Sequence, residues 1–148
     1  MNRSASPEQA FDPDGFEARY RAYCATYTTE RTTVSIDGIE LAMHPRVYRA
    51  ESASTTAAML STIRDVDDKS ILDMGCGCGV LGVFAALRGA RSVLMADISA
   101  EAVANAEDNV ARNGLGDRCR VVRSDLFGSV PAGQTFDLIY FNMPFFLC

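Results

Sequence analysis

The sequence predicts an α/β fold, a Rossmann-like parallel sheet wound by helices, preceded by an N-terminal helix and a β-hairpin. Three observations carry this expectation. A short apolar run, Ile71-Leu72-Asp73-Met74, breaks into glycines at 75, 77 and 79 and passes at once into the apolar, Ala/Leu-rich stretch Val80 to Leu87, which reads as strand, tight turn and helix. Apolar strands and helical segments then alternate as far as Phe141, the pattern of a sheet built by right-handed crossovers. Asp73, Asp97, Asp125 and Asn142 stand at four successive strand ends, where such sheets place their chemistry.

Taken in order, Met1 to about Asp14 is polar and Pro-containing, and Ser6-Pro7-Glu8 resembles a helix start. Phe16, Tyr20, Tyr23 and Tyr27 recur at helical spacing, so their rings share one face of a helix packed on the body. Thr33-Val34-Ser35-Ile36 and Ile39-Glu40-Leu41-Ala42-Met43 alternate around Asp37-Gly38, a hairpin signal closed by Pro45. His44 reads as a boundary residue, since no acidic or nucleophilic partner adjoins it in sequence. Glu51 to Ile63 favours a helix with Ala57, Leu60 and Ile63 facing inward, and Arg64 to Lys69 makes a polar loop.

The helix that follows the glycines runs to about Gly89, and the strand from Ser92 to Ala96 ends in Asp97. Ser99 can cap a helix that reaches Asn113, with Gly114 in the usual C-terminal position. A third strand, Arg120 to Arg123, ends before Ser124-Asp125. A polar loop with Pro131 and Gly133 leads to a fourth, Phe136 to Phe141, and then to Asn142-Met143-Pro144-Phe145. The expected division is residues 1–48 as tail, helix and hairpin, and 49–148 as the cofactor-binding domain.

Composition narrows the class. With 48% apolar residues and mean hydropathy +0.02, 148 residues can bury one core. A net charge of −5, a pI of about 4.8 and no block of like charge disfavour a phosphate-backbone track, and with it stand-alone nucleic-acid binding. There is no cationic leader with an apolar core and no apolar run near the roughly 20 residues of a membrane span, so a cytoplasmic protein is expected. Cys24, Cys76, Cys78, Cys119 and Cys148 are odd in number, form no CxxC pair and accompany a single histidine, which argues against a disulfide framework or a metal site. Cys76 and Cys78 read as small residues between glycines, with a redox role the alternative.

The glycine pattern is open to two readings. Gly77-Cys78-Gly79-Val80-Leu81-Gly82 satisfies the dinucleotide fingerprint G-x-G-x-x-G, while Asp73 to Gly79 satisfies the acid-led D-x-G-x-G-x-G. An acid in the first strand is unwelcome beside a pyrophosphate and suits a cofactor with a cationic amine and sulfonium. Asp97 lies 22 residues beyond Gly75, close to the separation of about 20 at which an acid reaches a ribose hydroxyl pair. Asp125 supplies an adenine-facing group, and a plain dinucleotide domain does not require Asn-x-Pro-Phe after its fourth strand.

From about Ser70 to Phe145 the sequence resembles the class I S-adenosylmethionine-dependent methyltransferases, and within them the small-domain group that includes the release-factor glutamine and adenine amino-group N-methyltransferases. The resemblance implies that Asp73, Gly75, Cys76, Gly77 and Gly79 hold the methionine end of S-adenosylmethionine. It implies that Asp97 takes the ribose hydroxyls with Ile98 against the adenine, and that Asp125 and the Leu126 backbone read the adenine edge. Asn142-Met143-Pro144-Phe145 stands where those families carry Asn-Pro-Pro-Tyr or a close variant, with Met143 departing from the usual proline. Asn142 is then the catalytic residue, and Asn142 to Phe145 bind a planar amide or amino nitrogen. Val47-Tyr48 and Thr55 resemble the segment before the families' first strand.

Family members continue beyond the fourth strand, so the sequence is expected to be a truncated chain, a split domain completed by a second chain, or a degenerate member, with the edge of the fourth strand open. The acceptor is expected to be a small molecule, a peptide or a protein. Alternatives are a cofactor-binding fragment or subunit that needs a partner for catalysis, an O-methyltransferase, and an NAD-binding dehydrogenase domain.

Overall fold

The computed structural model describes residues 29–50 and 54–142. The aromatic stripe Phe16, Tyr20, Tyr23 and Tyr27, and the segment from Met143 to Phe145, lie outside these residues. Strands β1 (Thr32–Ile36) and β2 (Ile39–Met43) form the hairpin, with Ile36 opposite Ile39. Asp37 and Gly38 both have positive φ, 48° and 81°, as a two-residue turn requires if it is to match the right-handed twist of its strands.

Helix α1 (Ser54–Thr62) follows. Its inward side is Thr56 and Leu60, continued by Ile63, with 3%, 5% and 2% exposure. Ala57, expected inside, is exposed, because the stripe that Leu60 and Ile63 define reaches back at helical spacing to position 56.

The body alternates β3 (Ser70–Met74), α2 (Val80–Leu87), β4 (Ser92–Asp97), α3 (Ala100–Arg112), β5 (Cys119–Arg123) and β6 (Leu138–Phe141). The four strands are parallel in the order β5-β4-β3-β6. The last strand begins two residues later than the apolar run, since Asp137 is used instead to clasp Ser70: the Asp137 amide donates to the Ser70 carbonyl and the Ser70 amide to the Asp137 carboxylate, both at 2.8 Å.

Two successive crossovers in one direction, β3 to β4 to β5, put α2 and α3 on the same face of the sheet, and the return to β6 carries the 124–137 connection across the other. The burial follows this division. Ile71, Val93 and Met95 join the helices and hairpin in the main core, whereas Leu72, Met74, Leu94 and Ala96 pack beneath Val122, Val130 and Phe136. The reversal of strand order beside β3 opens a crevice at the carboxyl ends of the strands. Among the described residues no strand pairs with the outer edge of β6, where Ile139 and Phe141 are 53% and 42% exposed.

Candidate functional site

The crevice holds two adjoining cavities of about 360 and 180 Å³ that share Gly75, Asp97, Ile98 and Phe141. The larger is bounded by the glycine loop, by Asn142, and by Arg46, Val47 and Tyr48 on the segment that leaves the hairpin. The smaller reaches Asp125 and Leu126 beyond β5. Apart from Met143, Pro144 and Phe145, every residue expected to bind cofactor or acceptor borders this crevice except Gly79.

The turn after β3 is tied back to the sheet, because the Gly75 and Cys76 amides both donate to the Ala96 carbonyl at the end of β4, at 2.8 and 3.1 Å. Gly77 has φ +55°, and a Cβ built there meets nothing within 4 Å, so the constraint on this position is its backbone conformation and whatever occupies the cavity. Gly79 is different. It is the left-handed N-cap of α2, and a Cβ there would sit 3.0 Å from the Ala106 Cβ and 3.2 Å from the Met95 sulfur, so it faces the core instead of the cavity.

A glycine cap offers no side chain to the free amides of α2, and Asp73 supplies one from the strand below. Its Oδ2 accepts from the Gly82 amide at 3.0 Å, and the residue is only 1% exposed. Burial raises its pKa to about 7, against the lowering effect of the Gly82 bond, and the nearby Asp97 charge raises it further. Asp73 therefore works first for the fold, although it also borders the larger cavity.

Asp97 joins three parts of the site. One oxygen accepts from the Gly77 amide and the other from the Ser99 amide, each at 2.9 Å. A carboxylate has about four acceptor positions, so two remain for a hydroxyl pair. Ser99 then caps α3 by accepting from the Ala102 amide at 3.2 Å. Ile98, 61% exposed, presents an apolar face between the two cavities.

Beyond β5 the buried Ser124 hydroxyl donates to the Leu126 carbonyl at 2.7 Å and accepts from the Ser129 amide at 2.8 Å. These bonds hold Leu126 at φ +45° with its side chain 54% exposed, next to the exposed Asp125. The Cys76 thiol is buried at the edge of the larger cavity, and burial, followed by the charges of Asp73 and Asp97, pushes its pKa well above the ordinary thiol value.

Sequence reasoning passed over Arg46, Phe141 and the buried Thr56, all of which border the larger cavity. It also missed Asn105 and Asn109, although the four-residue spacing of Asn105, Asn109 and Asn113 marks a polar stripe on one side of α3. His44 has the acidic partner that its sequence neighbours lack: its Nε2 lies 3.1 Å from the Asp108 carboxylate, away from both cavities. Among the described residues no group of three or more His, Cys, Asp or Glu is placed to hold a metal ion, and no helix is long and apolar enough to cross a membrane.

A left-handed glycine turn, an acid with spare acceptor positions at the end of the second parallel strand, and a crevice where the strand order reverses are the features of a nucleoside-cofactor domain. The comparisons with known proteins agree. Residues 38–147 match the methyltransferase small domain family, and the chain belongs to it. It is 35% identical over 112 residues to a Methanocaldococcus jannaschii protein provisionally named a protein N5-glutamine methyltransferase, covering 76% of this chain and 54% of that one. It is likewise 35% identical over 126 residues to the ribosomal RNA small subunit methyltransferase C of Actinobacillus succinogenes, covering 84% of this chain and 35% of that one. Among solved structures, the T. thermophilus 16S rRNA N2 G1207 methyltransferase in complex with AdoMet and guanosine superposes with a TM-score of 0.66 at 23% identity, over 80% of this chain and 33% of that one, which is a likeness of fold. The chain thus spans about half, or less, of the length of these relatives.

Proposed function

We propose that the protein is an S-adenosylmethionine-dependent methyltransferase whose acceptor is a planar nitrogen, either the side-chain amide of a protein glutamine or the amino group of a nucleobase. The observation that carries the reading is that Asn142, at the end of β6, borders the same cavity as Gly75, Gly77 and Asp97, so an acceptor held by Asn142 and a cofactor held by the glycine loop would meet in one cleft. The relatives' names, a protein N5-glutamine methyltransferase and a ribosomal RNA methyltransferase, support an acceptor carried by a protein or an RNA.

The residues present fit the cofactor. Asp97 has two acceptor positions to spare for the ribose hydroxyls, and Ile98 gives the adenine an apolar floor. Asp125 and the Leu126 amide, whose own carbonyl is already engaged by Ser124, would read the adenine edge. Gly75, Cys76 and Gly77 would lie along the methionine end, with Asp73 behind them adding negative charge when ionised. When bound, S-adenosylmethionine supplies the methyl group on an electrophilic sulfonium.

An amide or aniline-like nitrogen is a weak nucleophile because its lone pair is delocalised. The site must hold it in line with the methyl and accept its hydrogens. The Asn142 side-chain oxygen would accept one of its N–H groups. Catalysis is then mainly positioning.

The experiment is transfer of labelled methyl from S-adenosylmethionine to glutamine-containing peptides and to RNA, comparing the wild type with Asn142→Ala. Loss of a positioned polar group commonly costs about two to three orders of magnitude in rate, and the cofactor affinity should stay within a few-fold. Equal transfer without Asn142 would overturn its role in holding the acceptor nitrogen, and with it this mechanism.

A further inference from the structure

We propose that Asn109 is a positioning residue that sets the two walls of the larger cavity relative to one another. This rests on the reading of that cavity as the cofactor site. Asn109 lies on the buried side of α3 with 0% exposure, and its side chain spans two pieces of backbone far apart in sequence. Its amide group donates to the Cys78 carbonyl in the glycine loop and to the Ala42 carbonyl near the end of β2, both at 2.9 Å, and its oxygen accepts from the Ala42 amide at 2.6 Å.

Each wall of the cavity hangs on one end of this bridge. Cys78 borders the cavity directly. On the other side the chain leaves β2 after Met43 and passes through His44, whose amide donates to the Asn105 oxygen at 2.9 Å, into a turn where the Val47 amide donates to the His44 carbonyl at 3.3 Å. That turn delivers Arg46, Val47 and Tyr48 to the cavity. The hairpin end is tied to α3 by Asn105 and Asn109 together, since the Asn105 amide also donates to the Ala42 carbonyl at 2.7 Å, and of the two it is Asn109, one turn further along α3, that reaches on to the glycine loop.

Packing alone does not require an amide at this position. The polar side chain is called for by leftover backbone groups: Ala42 turns its N–H and C=O away from β1, and the Cys78 carbonyl sits in a loop outside any ladder. Without Asn109 the Cys78 carbonyl loses this partner in a buried site, and the loop is free to turn it elsewhere. A ligand lying along the glycine loop would feel that displacement although Asn109 never touches it.

The test compares Asn109→Ser with Val110→Ala, a neighbouring core truncation without polar contacts, in thermal unfolding and in calorimetric titration with S-adenosylhomocysteine well below either unfolding midpoint. Both variants should melt earlier. Only Asn109→Ser should bind more weakly, by about ten-fold or more, the equivalent of losing one buried hydrogen bond. Equal affinity in the two folded variants would reduce Asn109 to a structural residue. A measurement on the wild type keeps the proposal testable should Asn109→Ser not fold: S-adenosylhomocysteine should slow hydrogen exchange at the Ala42 amide, which is bonded to Asn109 and does not border the cavity. Slowing confined to the glycine loop would overturn the coupling. No binding to the wild type would instead overturn the cofactor assignment itself.

Discussion

The Asp97 carboxylate accepts the Gly77 amide at 2.9 Å, which joins the acid after the second parallel strand to the middle glycine of the loop after the first, 20 residues earlier. Asp97 and the glycine turn are thus one hydrogen-bonded unit, completed by the Ser99 amide on the second carboxylate oxygen. Asp97→Ala should weaken S-adenosylhomocysteine by about 1.5–3 kcal/mol, the range for hydrogen bonds to a charged group. The fold should persist with a lower melting temperature, because the Gly77 and Ser99 amides lose their acceptor. Calorimetry on the folded variant is decisive, and an unchanged dissociation constant removes Asp97 from the site.

Gly77→Val should abolish cofactor binding. The protein itself has room for a Cβ there, so a branched side chain would occupy the cavity. Its φ of +55° adds about 1–2 kcal/mol of backbone strain. Gly114→Ala separates the two effects, since Gly114 has φ +67°, nothing within 4 Å of a built Cβ, and a place at the far end of α3. It should lower stability without touching affinity. Tight binding by a folded Gly77→Val protein would mean that the ligand lies elsewhere.

Much of this arrangement was legible in the sequence, for physical reasons. Asp37-Gly38, the glycine turn and Ser99 are local signals, in which a residue's own conformational or hydrogen-bonding preference fixes the structure within a few positions. What was hidden depends on distant partners. His44 meets Asp108 across 64 residues, and Asn109 reaches Ala42 and Cys78 across 67 and 31. A hydrophobic pattern scores such buried amides as solvent-facing, and it likewise favoured Ala57 over Thr56 on α1. The inward aim of Asp73 is a third case, since the alternation of β3 puts it beside Ile71 on the helix face but says nothing of the uncapped amide waiting there.

The burial of Asp73 predicts a pH dependence. Its carboxyl titrates near 7 in the folded chain against 3.8 for the ordinary group, so the folded state holds a proton that the unfolded state has released between these values. Stability should fall as pH rises from about 4 to about 7 and level off above, by proton linkage. Asp73→Asn keeps an oxygen for the Gly82 amide and does not ionise, so denaturant midpoints measured across this range should lose that slope. A slope of equal size in the variant would assign it to another group.

The central claim, that this domain holds S-adenosylmethionine in the crevice at its strand ends, is tested most directly by titrating the purified chain with S-adenosylmethionine, S-adenosylhomocysteine and NAD in a calorimeter. Saturable one-to-one binding of the first two, lost in Gly77→Val, with no heat from NAD is the predicted result. Binding of NAD, or of neither sulfur compound, would contradict it.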